Sequence, residues 1–240
     1  MRVTLTNPAQ PARRSFARYA RYAKYLVCGL ARYPAAITSI DAIFRYDPAV
    51  GVDSPWWNRH AIRYLDSQLR HGQRIFEWGS GGSTAWLVSK GAQVTSVEHN
   101  PEWVKKVKSR CVHADIRAIP GAVTGKIEEP HFSRYVCDGR RFFDDYIAVI
   151  DEFPDDSFDV VLVDGMCRAA CFQRALPKVR PGGLLVIDDT DIPPFRSMGK
   201  FVSDWEKTSF AGFKVSTDLR ETTFFRRPPS PLEECDTSKD

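Results

Sequence analysis

The run Glu77-Trp78-Gly79-Ser80-Gly81-Gly82-Ser83-Thr84 constrains this chain more than any other stretch of it. It follows a short segment of strand character, Arg74 to Trp78, and leads into a helical pattern from Ser83 to Lys90 that Gly91 closes. Glycines at such a junction let the backbone turn sharply and come close to a bound group, while free N–H groups at the helix start face it. A strand, a glycine turn and a helix in that order belong in an α/β sheet.

The alternation continues. Gln93 to Glu98 reads as a second strand, Pro101 to Arg110 as a helix with Trp103, Val104 and Val107 inward, and Val112 to Ile119 as a third strand. After an irregular stretch at 120–140, Arg141 to Glu152 reads as a helix and Phe158 to Asp164 as a strongly apolar strand. Cys167 to Leu176 follows as a helix, and Leu184 to Asp188 as a buried strand after Pro181-Gly182-Gly183. Ser197 to Lys207 is expected to be a helix carrying Met198, Phe201 and Trp205. Gly212 to Thr217 and Glu221 to Arg226 then close the domain as an antiparallel pair. Ahead of the turn, Asp53-Ser54-Pro55 is expected to open a helix whose stripe is Ile62, Leu65 and Leu69. The pattern predicts a doubly wound, mainly parallel seven-stranded sheet with an antiparallel C-terminal strand, covered by helices on both faces.

A chain of 240 residues has room for one such domain, over 51–227, with an N-terminal helical extension, a basic arm over 1–50, and a disordered tail over 228–240. The net charge is +4 and unevenly placed: Arg2, Arg13, Arg14, Arg18, Arg21 and Lys24 precede any acid. The remainder is close to neutral, which argues against a nucleic-acid groove across the main domain. Arg14, Arg18 and Arg21 share a helical face near Tyr19, Tyr22 and Tyr25. That face reads as a solvated helix packed on the domain by its tyrosines; weak contact with an anionic membrane surface is the other reading. On the first reading, deletion of residues 1–45 leaves the chemistry intact.

The six cysteines form no Cys-x-x-Cys pair and read as reduced thiols of a cytoplasmic chain, Cys167 and Cys171 as small buried side chains. No stretch approaches the ~20 apolar residues of a membrane span. The best, Leu26 to Phe44, is broken by Arg32, Pro34 and Asp41. A signal peptide is not expected either.

Ligands of parallel sheets collect at the carboxyl ends of the strands, near the switch point. Glu98 ends the second strand nineteen positions after Gly79 (98 − 79), where an acid can accept both hydroxyls of a ribose. The dinucleotide fingerprint does not fit, because Thr84 stands where a third glycine would be and Glu77 lies directly before the turn. A carboxylate there repels a pyrophosphate and attracts an ammonium, so an aminoacyl nucleoside suits the turn better than a nicotinamide dinucleotide. Asp164, Asp188 and Asp189 fall at the carboxyl ends of neighbouring strands, and three converging carboxylates suit Mg²⁺ or Ca²⁺. Alternatively, Asp164 orients a substrate or an ammonium while Asp188 and Asp189 cap the next loop. His60, His71, His113 and His131 sit in no motif.

In order along the chain, Phe76 to Thr84, Val94 to Trp103, Phe158 to Gly165 and Leu176 to Asp189 resemble the first, second, fourth and fifth strand motifs of class I S-adenosylmethionine-dependent methyltransferases. The likeness extends over about residues 55–227 and implies a Rossmann-like fold and methyl transfer from that cofactor. It implies that Glu77 and Gly79 meet the methionine end, with Ser80, Gly81, Ser83 and Thr84 in the same turn, that Glu98 meets the ribose, and that His99 borders the adenosine. The usual acid after the third strand is missing from Ile116-Arg117-Ala118-Ile119-Pro120, so the adenine contact stays unassigned. The acid after strand four and the acid pair after strand five resemble those of metal-dependent small-molecule O-methyltransferases of the catechol and macrolide-sugar kinds. That likeness makes Asp164 the catalytic residue and Asp164, Asp188 and Asp189 a Mg²⁺ site, with a small-molecule hydroxyl as acceptor. The chain departs from those enzymes where some carry a basic lysine three positions after the first acid; Cys167 stands there, with Arg168 next. Two alternatives are a cofactor-binding, non-catalytic partner subunit and a nucleic-acid methyltransferase. Against the second, Val163-Asp164-Gly165-Met166 replaces the Asn/Asp-Pro-Pro-Tyr element of many amino-methylating members. The oligomeric state is not legible.

Overall fold

The computed structural model describes residues 26–44, 54–126, 141–193, 195–214 and 219–230. The face carrying Arg14, Arg18 and Arg21, and the tail from 231, lie outside them.

Seven strands form one sheet in the order β3-β2-β1-β4-β5-β7-β6. The first five are β1 (Arg74–Trp78), β2 (Gln93–Glu98), β3 (Asp115–Ala118), β4 (Phe158–Val163) and β5 (Val179–Ile187), all mutually parallel. The last two, β6 (Glu206–Phe213) and β7 (Leu219–Arg226), are antiparallel, β7 pairing with both β5 and β6. Helices α1 (residues 26–32), α2 (Arg59–Gln68), α3 (Gly82–Ser89), α4 (Pro101–Lys108), α5 (Asp144–Ala148) and α6 (Arg168–Ala175) supply the layers.

Alternate residues of the central strands go to opposite faces. Phe76, Trp78, Val161, Val163, Leu185, Ile187 and Phe225 meet Tyr146, Ile147, Cys171 and Phe172 on one side. Ile75, Val94, Val160, Leu162, Leu184, Val186 and Phe224 meet Trp57, Ala61, Leu65 and Leu87 on the other. Being covered on both faces, β4 and β5 read as unbroken apolar runs. Among the described residues no helix is long and apolar enough to cross a membrane.

Several boundaries differ from the sequence expectation. The expected start at Asp53-Ser54-Pro55 is replaced by Asn58, whose side chain accepts from Ala61 N at 3.0 Å and caps α2. The third strand is shorter than expected, Asp115–Ala118. The helix expected from Arg141 becomes α5 plus a 3₁₀ turn, Val149–Glu152. Strand β5 begins at Val179, before Pro181-Gly182-Gly183, and the pairing with β4 is irregular between Phe158 and Val160. The expected helix Ser197 to Lys207 is a 3₁₀ segment, Phe195–Val202, and β6 already starts at Glu206. Its edge residues have an eight-residue ladder to gain with β7, which overrides the helical spacing of Met198 and Trp205.

The described part of the N-terminal extension is docked on this edge. Leu26, Leu30, Tyr33 and Ala36 pack with Phe213 and Leu219. The Ser39 hydroxyl donates to Ala36 O at 2.8 Å and accepts from Phe213 N at 2.9 Å.

Candidate active site

The strand order reverses between β1 and β4, and the site residues gather at their carboxyl ends. Gly79 turns the chain at φ +95°, and a Cβ there would lie 2.9 Å from Gly165 N and Cα, so only glycine suits this crossing of the β1 and β4 loops. Gly79 N donates to Val97 O at 2.8 Å, and Asp164 N to Trp78 O at 3.1 Å, which locks three strand ends together. Trp103 Nε1 donates to Ser80 O at 2.7 Å from α4, clamping the turn from outside.

Glu77 has no exposed surface. Its Oε1 accepts from the Ser83 hydroxyl, and its Oε2 from Thr84 Oγ1 at 2.6 Å and Ser96 Oγ at 2.8 Å. Thr84 Oγ1 in turn accepts from Gly81 N at 2.9 Å. Burial pushes the Glu77 carboxyl up to about 7 despite these three hydroxyls. The carboxylate thus has a role that the sequence did not indicate: it holds Ser83 and Thr84, in the first turn of α3, in place. Ser96 reaches the carboxylate because Glu77 and Ser96 are partners in the β1–β2 ladder.

Glu98 is 5% exposed at the end of β2, its Oε1 accepting from Asn100 N at 2.9 Å, with His99 Nδ1 2.8 Å away. The His99 ring stands edge-on to Phe143 at 6.1 Å and Tyr146 at 6.5 Å between centroids. Ser80 Oγ and His99 Nδ1 are buried without an aligned hydrogen-bond partner among the described residues. The Ser80 hydroxyl, unpaired in the glycine turn, fits a polar ligand, since a buried group left unpaired is costly. Together with the N-terminal end of α3 for a carboxylate and Glu98 for ribose hydroxyls, the set fits an aminoacyl nucleoside such as S-adenosylmethionine.

The acid trio does come together, but already paired. Asp164 Oδ1 meets Arg168 at 3.0 Å and its Oδ2 accepts from Trp57 Nε1 at 2.9 Å. Asp188 Oδ1 accepts from Thr222 Oγ1 at 2.7 Å and its Oδ2 from Lys214. Asp189 Oδ1 accepts from Lys214 Nζ at 2.6 Å and its Oδ2 from Arg168 at 3.0 Å. Burial, then the charge of Asp189, push the Asp188 carboxyl up. Burial also opposes ionisation of Asp189, yet Lys214 and Arg168 outweigh it and hold that carboxyl well below the usual range. With a donor on each of the six oxygens, the trio does not fit the Mg²⁺ or Ca²⁺ expected from sequence. Among the described residues no group of His, Cys, Asp or Glu is arranged to hold a metal.

Sequence reasoning missed Trp57, Trp103, Tyr146, Lys214 and Thr222. The two tryptophans carried a legible hint, because a buried indole N–H needs an acceptor. An open groove of about 580 Å³ lies at the opposite, amino-terminal end of the strands, lined by Arg74, Val94, Thr95, His113 and Asp115 among others, with none of these features.

Residues 76–190 match the family model of a methyltransferase domain. No curated protein matches the chain in sequence. Among solved structures, the O-methyltransferase TomG of Streptomyces achromogenes, involved in tomaymycin synthesis and bound to S-adenosylmethionine, superposes with TM-score 0.51 at 19% identity, over 87% of this chain and 98% of that one. The tRNA (m1A58) methyltransferase TrmI of Aquifex aeolicus gives 0.50 at 10% identity, over 80% and 76%. A Bacillus cereus O-methyltransferase bound to S-adenosylhomocysteine gives 0.49 at 15%, over 87% and 90%. Likeness at this identity speaks to fold and leaves the acceptor open. The family match begins within β1 and ends just past β5, the glycine turn included, and the mainly parallel seven-stranded sheet around it is the one expected from the sequence: residues 76–190 form a methyltransferase domain on a Rossmann-like fold.

Proposed function

We propose that this methyltransferase moves the methyl group to a hydroxyl oxygen of a small molecule, with Asp164 as the catalytic residue. The observation that carries the reading is the setting of Asp164. Its side chain is 20% exposed at the end of β4, next to the Gly79 turn, and is aimed by Trp57 Nε1 at 2.9 Å and by Arg168 at 3.0 Å. A carboxylate so held offers hydrogen-bond acceptors only, and the partner it suits is a group with a proton to give, among which an O–H is the one proposed here.

The cofactor supplies a methyl carbon on a cationic sulfur. The Gly79–Gly81 turn and the start of α3 bind its amino acid half, Ser80 Oγ supplies a further polar contact there, and Glu98 takes the ribose hydroxyls, with His99 beside the adenosine. Asp164 accepts the hydrogen bond of the acceptor hydroxyl and points its lone pair at the methyl carbon. As the O–C bond forms and the C–S bond breaks, the proton passes to Asp164 and on to solvent. Alignment of this kind supplies several of the ~7–11 kcal/mol that proximity can contribute, so few acid or base groups are needed.

The near-neutral main domain and the Asp164-Gly165-Met166 sequence support a small acceptor over RNA. The test is transfer of labelled methyl from S-adenosylmethionine to a panel of phenols, sugars, small amines and total RNA. Label on a hydroxyl compound, lost in Asp164→Ala, is the expected result; transfer to RNA alone contradicts it.

A further inference from the structure

We infer that Arg168 and Lys214 are built-in cations that take the place of a divalent metal in the Asp164–Asp188–Asp189 trio, so that this protein assembles its reaction centre without Mg²⁺ or Ca²⁺. The inference rests on the proposed function only in placing the trio beside the methyl donor.

Arg168, the first residue of α6, is bonded far beyond the carboxylates. Its Nε donates to Gly165 O at 3.2 Å, one terminal nitrogen to Asp164 O at 3.2 Å, and the other to Asp188 O at 2.7 Å. One planar guanidinium therefore ties the loop after β4 to the loop after β5 through backbone and side chains together. That is a use of its fixed fork of donors for which a lysine is no substitute. The two loops carry left-handed backbone at non-glycine residues, Cys167 at φ 50° and Asp189 at φ 59°, and such strain persists only where the surroundings over-determine it. Arg168 supplies that determination by bonding the Asp189 side chain, the Asp188 carbonyl before it, and the Asp164 and Gly165 carbonyls of the other loop.

Lys214 reaches in from just beyond β6. Its ammonium, 9% exposed by residue, bridges Asp188 and Asp189, while Arg220 Nε stands 3.6 Å from Asp189. The three acids thus face one buried cation, Lys214, and two partly buried ones, Arg168 and Arg220. A divalent ion drawing an oxygen from each of the three acids would have to displace Lys214 or Arg168 from Asp189, leaving a positive charge without its partner next to a second cation. Four of the six oxygens face Lys214 and Arg168, and the other two accept from Trp57 Nε1 and Thr222 Oγ1. The charge a metal would bring is already present in the covalent chain, contributed by residues on α6 and beyond β6 that close on the trio as the sheet forms.

The test is a Mn²⁺ titration of the purified full-length chain, without cofactor or acceptor, followed by electron paramagnetic resonance. The expected result is no saturable Mn²⁺ at millimolar concentration, and S-adenosylhomocysteine affinity unchanged by chelator or Mg²⁺. A single Mn²⁺ per chain that disappears in Asp188→Asn overturns the inference; one that Asp188→Asn leaves in place lies elsewhere, and the trio remains paired as described. Lys214→Ala supplies a second arm in which folding is checked by circular dichroism. A folded variant that gains Mn²⁺ binding shows the ammonium holding the metal's place, and a folded variant that stays blind to Mn²⁺ overturns that assignment for Lys214. If Lys214→Ala does not fold, the wild-type titration decides alone. Because no methyl transfer is measured, failure here is distinct from failure of the proposed acceptor chemistry.

Discussion

The Trp57 indole donates to Asp164 Oδ2 at 2.9 Å, joining the segment ahead of α2 to the end of β4 across 107 positions of sequence. The ring itself is 2% exposed and packs edge-on to Phe224 at 6.4 Å, so its polar edge alone reaches the site. Trp57→Phe keeps most of the packing and removes the aiming bond. A hydrogen bond to a charged group contributes about 1.5–3 kcal/mol, so turnover is expected to fall by about tenfold or more while cofactor affinity changes little. Steady-state kinetics beside calorimetry separates the two; an equal loss in both, or in neither, contradicts the assignment.

Glu77 makes stability depend on pH in a definite direction. Its carboxyl titrates at about 7 in the folded chain against 4.5 in the unfolded one. Between those values the folded state binds more protons, so stability is full below pH 4.5, declines as pH rises toward 7, and then levels. The decline is on the order of 3 kcal/mol. Glu77→Gln, neutral at every pH, is expected to flatten this part of the urea-unfolding stability curve. An unchanged slope in the variant rules out Glu77 as its source.

Asp189 acts with the opposite sign. Its carboxyl is held well below the usual 3.8 by Lys214 and Arg168, against the effect of burial. The stability it contributes is present above that value and is lost as pH falls below it. Asp189→Asn is expected to lower the melting temperature at pH 7 and to narrow the gap to wild type in strong acid. A gap that is constant with pH contradicts the ion-pair account.

The described part of the N-terminal extension is structural. Deletion of residues 1–45 strips Leu26, Leu30, Tyr33 and Ala36 from Phe213 and Leu219. Uncovering that cluster is expected to lower the melting temperature by about 5 °C or more. An unchanged melting temperature means that the packing contributes nothing.

The strand-turn-helix alternation placed the parallel half of the sheet and the candidate site at its carboxyl edge, because short apolar runs and glycine turns are local signals. Where pairing with a distant strand decides, the sequence misled. Glu206 to Phe213 joins the edge through β7, and local spacing carried no trace of that. The site divided in the same way. Glu98 and the glycine turn were legible as spacings within one βαβ unit. The burial of Glu77 under Ser83, Thr84 and Ser96 depends on side-chain direction, which a strand pattern leaves open. The pairing of the acid trio depends on Lys214, 25 positions past Asp189, and no motif joins the two.

The central claim is that the cofactor's nucleoside lies over the Gly79 turn with its ribose on Glu98. Isothermal titration of S-adenosylhomocysteine into wild type and Glu98→Ala tests it most directly. The account predicts one site per wild-type chain, weakened by about tenfold or more in a variant that keeps its fold. Equal affinity in the two proteins, or no heat in the wild type, would contradict it.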